Sequence, residues 1–285
     1  MGIIKIASGA SITYEVYGED DASLPTVFCV NGIFFNADQW NDVAPHVMKK
    51  IGKPIRVITY NGQGIGDSSM YDRAITVDDQ IQEIVSVMDE LNVQKCHVLA
   101  MSSGTYPAIL LLRDFPERVE SFCGYGTFSP FSKYLGDTIN YFNSLEFAFY
   151  EVRHMVKERV SRTNYEDFFD LFASQLERKI AKKPLFQLLE NTRIASIKII
   201  LDVVKQYQIL PAMLGVIQKA NLPMMFMYGE KDEIISPQAG WEVNENVPGS
   251  TLVTIPKETH FSPALNASSA KRVFDYYVDM LERWL

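Results

Sequence analysis

The sequence predicts an α/β protein, a mostly parallel central sheet flanked by helices with an inserted helical cap. Three observations predict it. β-rich apolar runs alternate with helical stretches over residues 1–130, the same rhythm returns over 219–285, and between them, over 131–218, the β-signals disappear. The 285 residues and 47% hydrophobic content suit one sheet domain interrupted by an insertion.

Each element follows from local pattern. The runs IIKI and ITYEVYG predict a leading hairpin. TVFCVN (26–31) and IRVITY (55–60) predict strands, each ending in a glycine-containing turn. DDQIQEIVSVMDEL follows as a helix: Ile81, Ile84, Val85, Met88 and Leu91 share helical spacing, and acids stand at its start. Next come a strand, CHVLAM (96–101), a helix in YPAILLLRDF, and a strand in RVESFCGYG. After the insertion, PMMFMYG and STLVTIP restore two strands, and AKRVFDYYVDMLERWL closes as an amphipathic helix. In such sheets, sites form at the carboxyl ends of the strands.

Composition narrows the function classes. A formal charge of −8 argues against a nucleic-acid surface and against anionic membranes. No apolar run approaches the ~20 residues needed to span a bilayer. The start, MGIIKIASGA, has no long apolar stretch of a signal peptide, and Ile6 breaks the myristoylation pattern, so a cytoplasmic location is expected. Cys29, Cys96 and Cys123 match neither a disulfide framework nor a metal pattern, and read as small buried hydrophobes.

Turns that follow strands carry the candidate chemistry. Asn61-Gly62-Gln63-Gly64-Ile65-Gly66 raises a dinucleotide site, but neither register completes G-x-G-x-x-G: the third glycine would fall on Asp67 or Ser69. A phosphate-loop lysine is also missing, so these glycines are expected to shape a loop, with no cofactor. Ala100-Met101-Ser102-Ser103-Gly104 has small residues two before and two after Ser102, as a nucleophile on a tight strand–turn–helix elbow requires. The N–H of Ser103 would then face the developing oxyanion. Of four histidines, His46 falls in a helix, His97 inside a strand and His154 in the insertion. Only His260 follows the last strand, completing the order nucleophile, acid, histidine. The acid should follow the preceding strand, where Asp232 stands with Glu230 and Glu233 as competitors. Finally, Gly32 in Asn31-Gly32-Ile33-Phe34 lets the backbone curl so that the N–H of Ile33 joins that of Ser103 as an oxyanion donor.

Together these residues resemble the α/β-hydrolase superfamily, in its serine-nucleophile branch. The family's third strand ends in His-Gly where this chain has Asn31-Gly32, and its R-G-x-G-x-S is resembled by Gln63-Gly64-Ile65-Gly66-Asp67-Ser68, with Gln63 in place of Arg. Asp232 falls where the family's G-x-x-D places the acid, and His260-Phe261 matches its terminal histidine turn. The resemblance implies that 1–130 and 219–285 form the core, with 131–218 as the cap. A serine at the elbow disfavours the carboxylate-nucleophile branches.

The function implied is a serine hydrolase that cleaves a carboxylic ester or thioester through an acyl-enzyme, with catalytic residues Ser102, Asp232 and His260 and no metal. A narrower resemblance, carried by Val30-Asn31-Gly32, the Ala-x-Ser-x-Gly elbow and the cap length, is to the acyltransferase that makes the rhamnolipid precursor from 3-hydroxyacyl units on acyl carrier protein. A non-catalytic receptor on the same fold is the reading of another class. The insertion carries 12 Lys and Arg against 10 Asp and Glu, with basic runs at 153–162 and 177–183. Such runs either meet an acidic partner such as acyl carrier protein or form a solvated helix face, the commoner outcome.

Overall fold

The computed structural model describes residues 1–32, 35–69, 75–127, 215, 217–232 and 234–285. The expected cap lies outside these residues apart from 215, 217 and 218, as do both basic runs. Eight strands form one sheet: β1 Gly2–Lys5, β2 Ser11–Tyr17, β3 Thr26–Val30, β4 Arg56–Asn61, β5 Cys96–Met101, β6 Val119–Tyr125, β7 Met224–Gly229 and β8 Thr251–Ile255. Their order is β1-β2-β4-β3-β5-β6-β7-β8. β1 pairs antiparallel with β2 and β2 antiparallel with β4, whereas β3 to β8 run parallel. The leading hairpin and the parallel sheet therefore both form as the sequence predicts.

Parallel strands are buried on both faces, and their side chains alternate between two cores. Phe28, Val98, Ala100, Phe122 and Phe226 enter one core, beneath α2 Val77–Glu90, α3 Thr105–Asp114 and α4 Pro237–Asn246. Val27, Cys29, Leu99, Cys123 and Met227 enter the other, beneath α1 Val43–Ile51 and the last helix, α6 Ala267–Trp284. A single turn, α5 Ser262–Leu265, precedes α6.

Helix boundaries have local causes. α1 stops at Gly52, whose φ of +63° suits glycine at a helix end. α2 starts in a capping box: Asp79 N–H donates to Thr76 Oγ1 at 3.2 Å, and Thr76 N–H donates to Asp79 Oδ2 at 2.7 Å. The three cysteines are buried and unpaired, and burial pushes the Cys96 thiol up to about 12. Among the described residues, no helix is long and apolar enough to cross a membrane.

Candidate active site

The elbow begins where β5 ends. Met101 is still extended, with φ −124° and ψ 134°, and Ser102 then turns to φ +52° at the start of a 3-10 turn, Ser102–Gly104, that runs into α3. A serine in this left-handed region is strained, and here the strain lifts its side chain off the strand end. Gly104 explains the second small residue: a Cβ there would lie 2.2 Å from Asn31 O and 2.8 Å from Val30 O. The turn thus packs on the end of β3, and only glycine permits that approach. Ser103 is buried and stands at the start of the 3-10 turn, where backbone N–H groups have no partner from within the helix.

His260 arrives from the turn after β8 and Asp232 from the turn after β7. His260 Nε2 lies 2.7 Å from Ser102 Oγ, and His260 Nδ1 lies 2.8 Å from Asp232 Oδ2. Three strand ends therefore converge, and all three side chains are buried. Asp232 also accepts at Oδ1 from the N–H groups of Ile234 (3.0 Å) and Ile235 (2.8 Å), which fixes its carboxylate plane. The His260 ring stands edge-on to Phe261, with centroids 5.0 Å apart, and Phe261 in turn meets Phe35 at 6.1 Å.

The competing residues are occupied elsewhere. Glu230 Oε2 accepts from the N–H of Lys257 at 2.9 Å, and Glu233 lies outside the described residues. His46 Nε2 meets Asp275 Oδ1 at 2.7 Å, joining α1 to α6. His97 Nδ1 meets Ser121 Oγ at 2.8 Å inside the sheet, where burial lowers its pKa, although the charge of Glu120 opposes that. His154 is outside the described residues, as is Ile33, the expected second oxyanion donor. Gly32 beside it is described: a Cβ there would sit 3.5 Å from the Ser102 Cβ, so Gly32 itself lies against the elbow.

Two of the departures from the family pattern, Asn31 for His and Gln63 for Arg, have structural accounts. Asn31 uses both ends of its amide, donating from Nδ2 to Tyr60 O at 2.6 Å and accepting at Oδ1 from Trp40 Nε1 at 2.7 Å. It ties β3 to β4 and to the turn that follows the loop. Gln63 donates from its side chain and its backbone N–H to Glu83 Oε1 on α2. Loop 61–68 closes through Ser68, whose hydroxyl donates to Asn61 O at 2.7 Å and accepts from Thr13 N–H at 2.9 Å. Gly64 and Gly66 take positive φ within it, and the loop is held by these polar contacts.

Several residues that frame the site carry no sequence motif. Gly126, with φ +65°, lies against the His260–Asp232 pair: a Cβ there would be 2.8 Å from His260 Cε1 and 3.1 Å from Nδ1. Tyr125 donates its hydroxyl to Thr259 O at 2.6 Å, and Tyr228 donates to Thr127 O at 2.7 Å. A glycine immediately after an apolar strand is the available signal for Gly126, but nothing local says what it faces.

The comparisons with known proteins agree with this architecture. A family model described as the alpha/beta hydrolase fold matches residues 25–267. A Caulobacter segnis protein bearing the name carbamate hydrolase RutD is 33% identical over 110 residues, 38% of this chain and 40% of that protein, so less than half of it is matched. A Synechocystis protein bearing the name non-heme chloroperoxidase is 21% identical over 99% of this chain and 100% of its own. Among solved structures, one from work on carboxylesterases of Nitrososphaera gargenis superposes with a TM-score of 0.75 at 18% identity, covering 99% of this chain and 98% of that one. By the family match and by its sheet order, elbow and strand-end turns, the chain belongs to the α/β-hydrolase fold family.

Proposed function

We propose that the protein is a serine hydrolase that cleaves a carboxylic ester or thioester through an acyl-enzyme on Ser102. The observation that carries this reading is the unbroken line from Ser102 Oγ to His260 Nε2 (2.7 Å) and from His260 Nδ1 to Asp232 Oδ2 (2.8 Å). His260 takes the Ser102 proton as Oγ attacks the acyl carbonyl. Asp232 holds the ring in the tautomer whose Nε2 accepts and stabilises the imidazolium that forms. The N–H groups of Ser103 and Ile33 are assigned to the oxyanion, each worth ~3 kcal/mol in such sites. The imidazolium then returns its proton to the departing alkoxide or thiolate, and a water activated by the same ring releases the acid.

The test is a fluorophosphonate probe followed by intact mass. One adduct on the native protein and none on Ser102→Ala is the expected outcome. An unlabelled native protein, or equal labelling of the variant, overturns the reading. Exposure to a panel of acyl esters, thioesters and carbamates, with and without hydroxyacyl acceptors, then identifies the acyl group retained and whether water or an alcohol receives it.

A further inference from the structure

The turn that carries His260 is braced by a carboxylate that the proposed chemistry does not use. Glu258 stands two residues before His260, and its side chain is 2% exposed. Both of its oxygens are bound: Oε1 accepts from Arg272 Nε at 3.0 Å and Nη2 at 2.7 Å, and Oε2 accepts from Ser262 Oγ at 2.5 Å. Burial pushes this carboxyl up, yet the hydrogen bonds from Ser262 and Arg272 outweigh it and hold it below the usual range.

The backbone of the same residue reaches the acid's turn. Lys231 N–H, next to Asp232, donates to Glu258 O at 2.9 Å. That contact is possible because residue 229 is glycine: a Cβ there would lie 2.4 Å from Glu258 O. Beyond His260, Ser262 and Thr259 exchange two further bonds, Thr259 N–H to Ser262 Oγ at 3.0 Å and Ser262 N–H to Thr259 Oγ1 at 3.2 Å. Glu258 therefore joins the Asp232 turn, the His260 turn and the first half of α6.

Stability alone is a poor reason for this arrangement. A buried ion pair often contributes no more than well-packed apolar residues of similar size. What a two-oxygen, three-donor carboxylate supplies is a fixed direction, because its bonds break when either turn shifts. We infer that Glu258, held by Arg272, is a positioning residue that keeps the His260 turn in register with the Asp232 turn. The inference deepens the proposed function and rests on that triad reading.

The experiment uses the full chain with Arg272→Ala, Arg272→Lys and Glu258→Gln. Arg118→Ala serves as a control: Arg118 makes comparable bonds, to Asp89, Val93 and Gln94, far from these turns at the start of β6. The Arg272 side chain is 60% exposed, so its truncation leaves both cores intact. Three quantities are read: the rate of Ser102 labelling by the fluorophosphonate, the downfield proton resonance of the His260–Asp232 hydrogen bond, and Tm. In Arg272→Ala and Glu258→Gln the labelling rate is expected to fall about ten-fold and the downfield proton to shift or broaden. Arg272→Lys should lie between them and native, and Arg118→Ala should lower Tm while leaving rate and proton at native values. Native rates and an unmoved proton in Arg272→Ala and Glu258→Gln overturn the inference, as does an equal effect of Arg118→Ala. If the native protein takes no probe, the triad reading fails instead, and the proton signal still decides whether Glu258 positions His260.

Discussion

At the scale of single residues, the site depends on two backbones with positive φ, one that resists its side chain and one that has none. Ser102 holds φ +52°, a conformation that costs a non-glycine residue about 1–2 kcal/mol. Ser102→Gly and Ser102→Ala both remove the proposed nucleophile, but only glycine relaxes that strain. After the entropy glycine loses on folding, Ser102→Gly is expected to exceed Ser102→Ala by roughly 1 kcal/mol in urea unfolding. Equal stabilities of the two would show that the elbow is relaxed. Gly126 makes the opposite case. Its φ is +65°, and a Cβ would press on the His260 ring at 2.8 Å, so Gly126→Ala strains the backbone and displaces the imidazole together. The expected result is a loss of about 1–3 kcal/mol in stability and a fall in fluorophosphonate labelling well beyond what the lost stability explains. Native labelling in a folded Gly126→Ala protein would mean that the ring has room to move.

Helix α2 shows how one element can carry a polar group into a core. Glu83 is buried on its inner face beside Gln63, with no lysine, arginine or histidine bonded to it among the described residues. Burial raises its carboxyl to about 7, although the Gln63 amide bonds favour the anion; nearby Asp79 adds to the rise. The sign follows directly. Between its ordinary pKa and about 7 the folded chain keeps a proton that the unfolded chain has released, so stability falls as pH rises through that window and levels off above it. A rise of that size corresponds to about 3 kcal/mol. Glu83→Gln removes the titration, so its stability relative to native should grow between pH 5 and pH 8 in urea melts. A constant difference would show that Glu83 ionises normally. Elements of this kind were legible in the sequence, since β3 to β8 and α2, α3 and α6 follow from periodicity and turn residues. Ser102, Asp232 and His260 could be nominated because the elbow needs small neighbours and because the order of strand ends restricts the base and the acid. Glu83 with Gln63, Gly126 beside His260, and Glu258 with Arg272 could not, because each pair meets only through the folded sheet. Periodicity reports which face a residue occupies and is silent about its partner across 14 or 134 positions of chain.

For the molecule as a whole, the second core joins the beginning of the chain to its end. Trp40 and the apolar face of α1 pack with α6 over β3 to β6, and Trp40 meets Phe274 with ring centroids 5.8 Å apart. Residues 40 and 274 are separated by 234 positions of chain, so the sheet is clamped by segments that have no local reason to meet. The candidate site is tied to this clamp, because α6 carries Arg272, which bonds Glu258, and follows the His260 turn through the short α5. Two substitutions on the buried face of α6 separate packing from polarity. Phe274→Ala removes a ring that is 1% exposed and should cost about 3–5 kcal/mol. Tyr277 is fully buried in this second core, and its hydroxyl has no hydrogen-bond partner among the described residues. An unmet buried hydroxyl is a net cost, so Tyr277→Phe should be neutral or should stabilise by about 1 kcal/mol. If the clamp makes one cooperative unit, thermal loss of far-UV ellipticity and of Ser102 labelling will coincide in native protein and in both variants, displaced down in Phe274→Ala and up or unmoved in Tyr277→Phe. Labelling that disappears well before the ellipticity in Phe274→Ala would mean that the C-terminal helix releases on its own and takes the histidine turn with it, leaving the sheet folded.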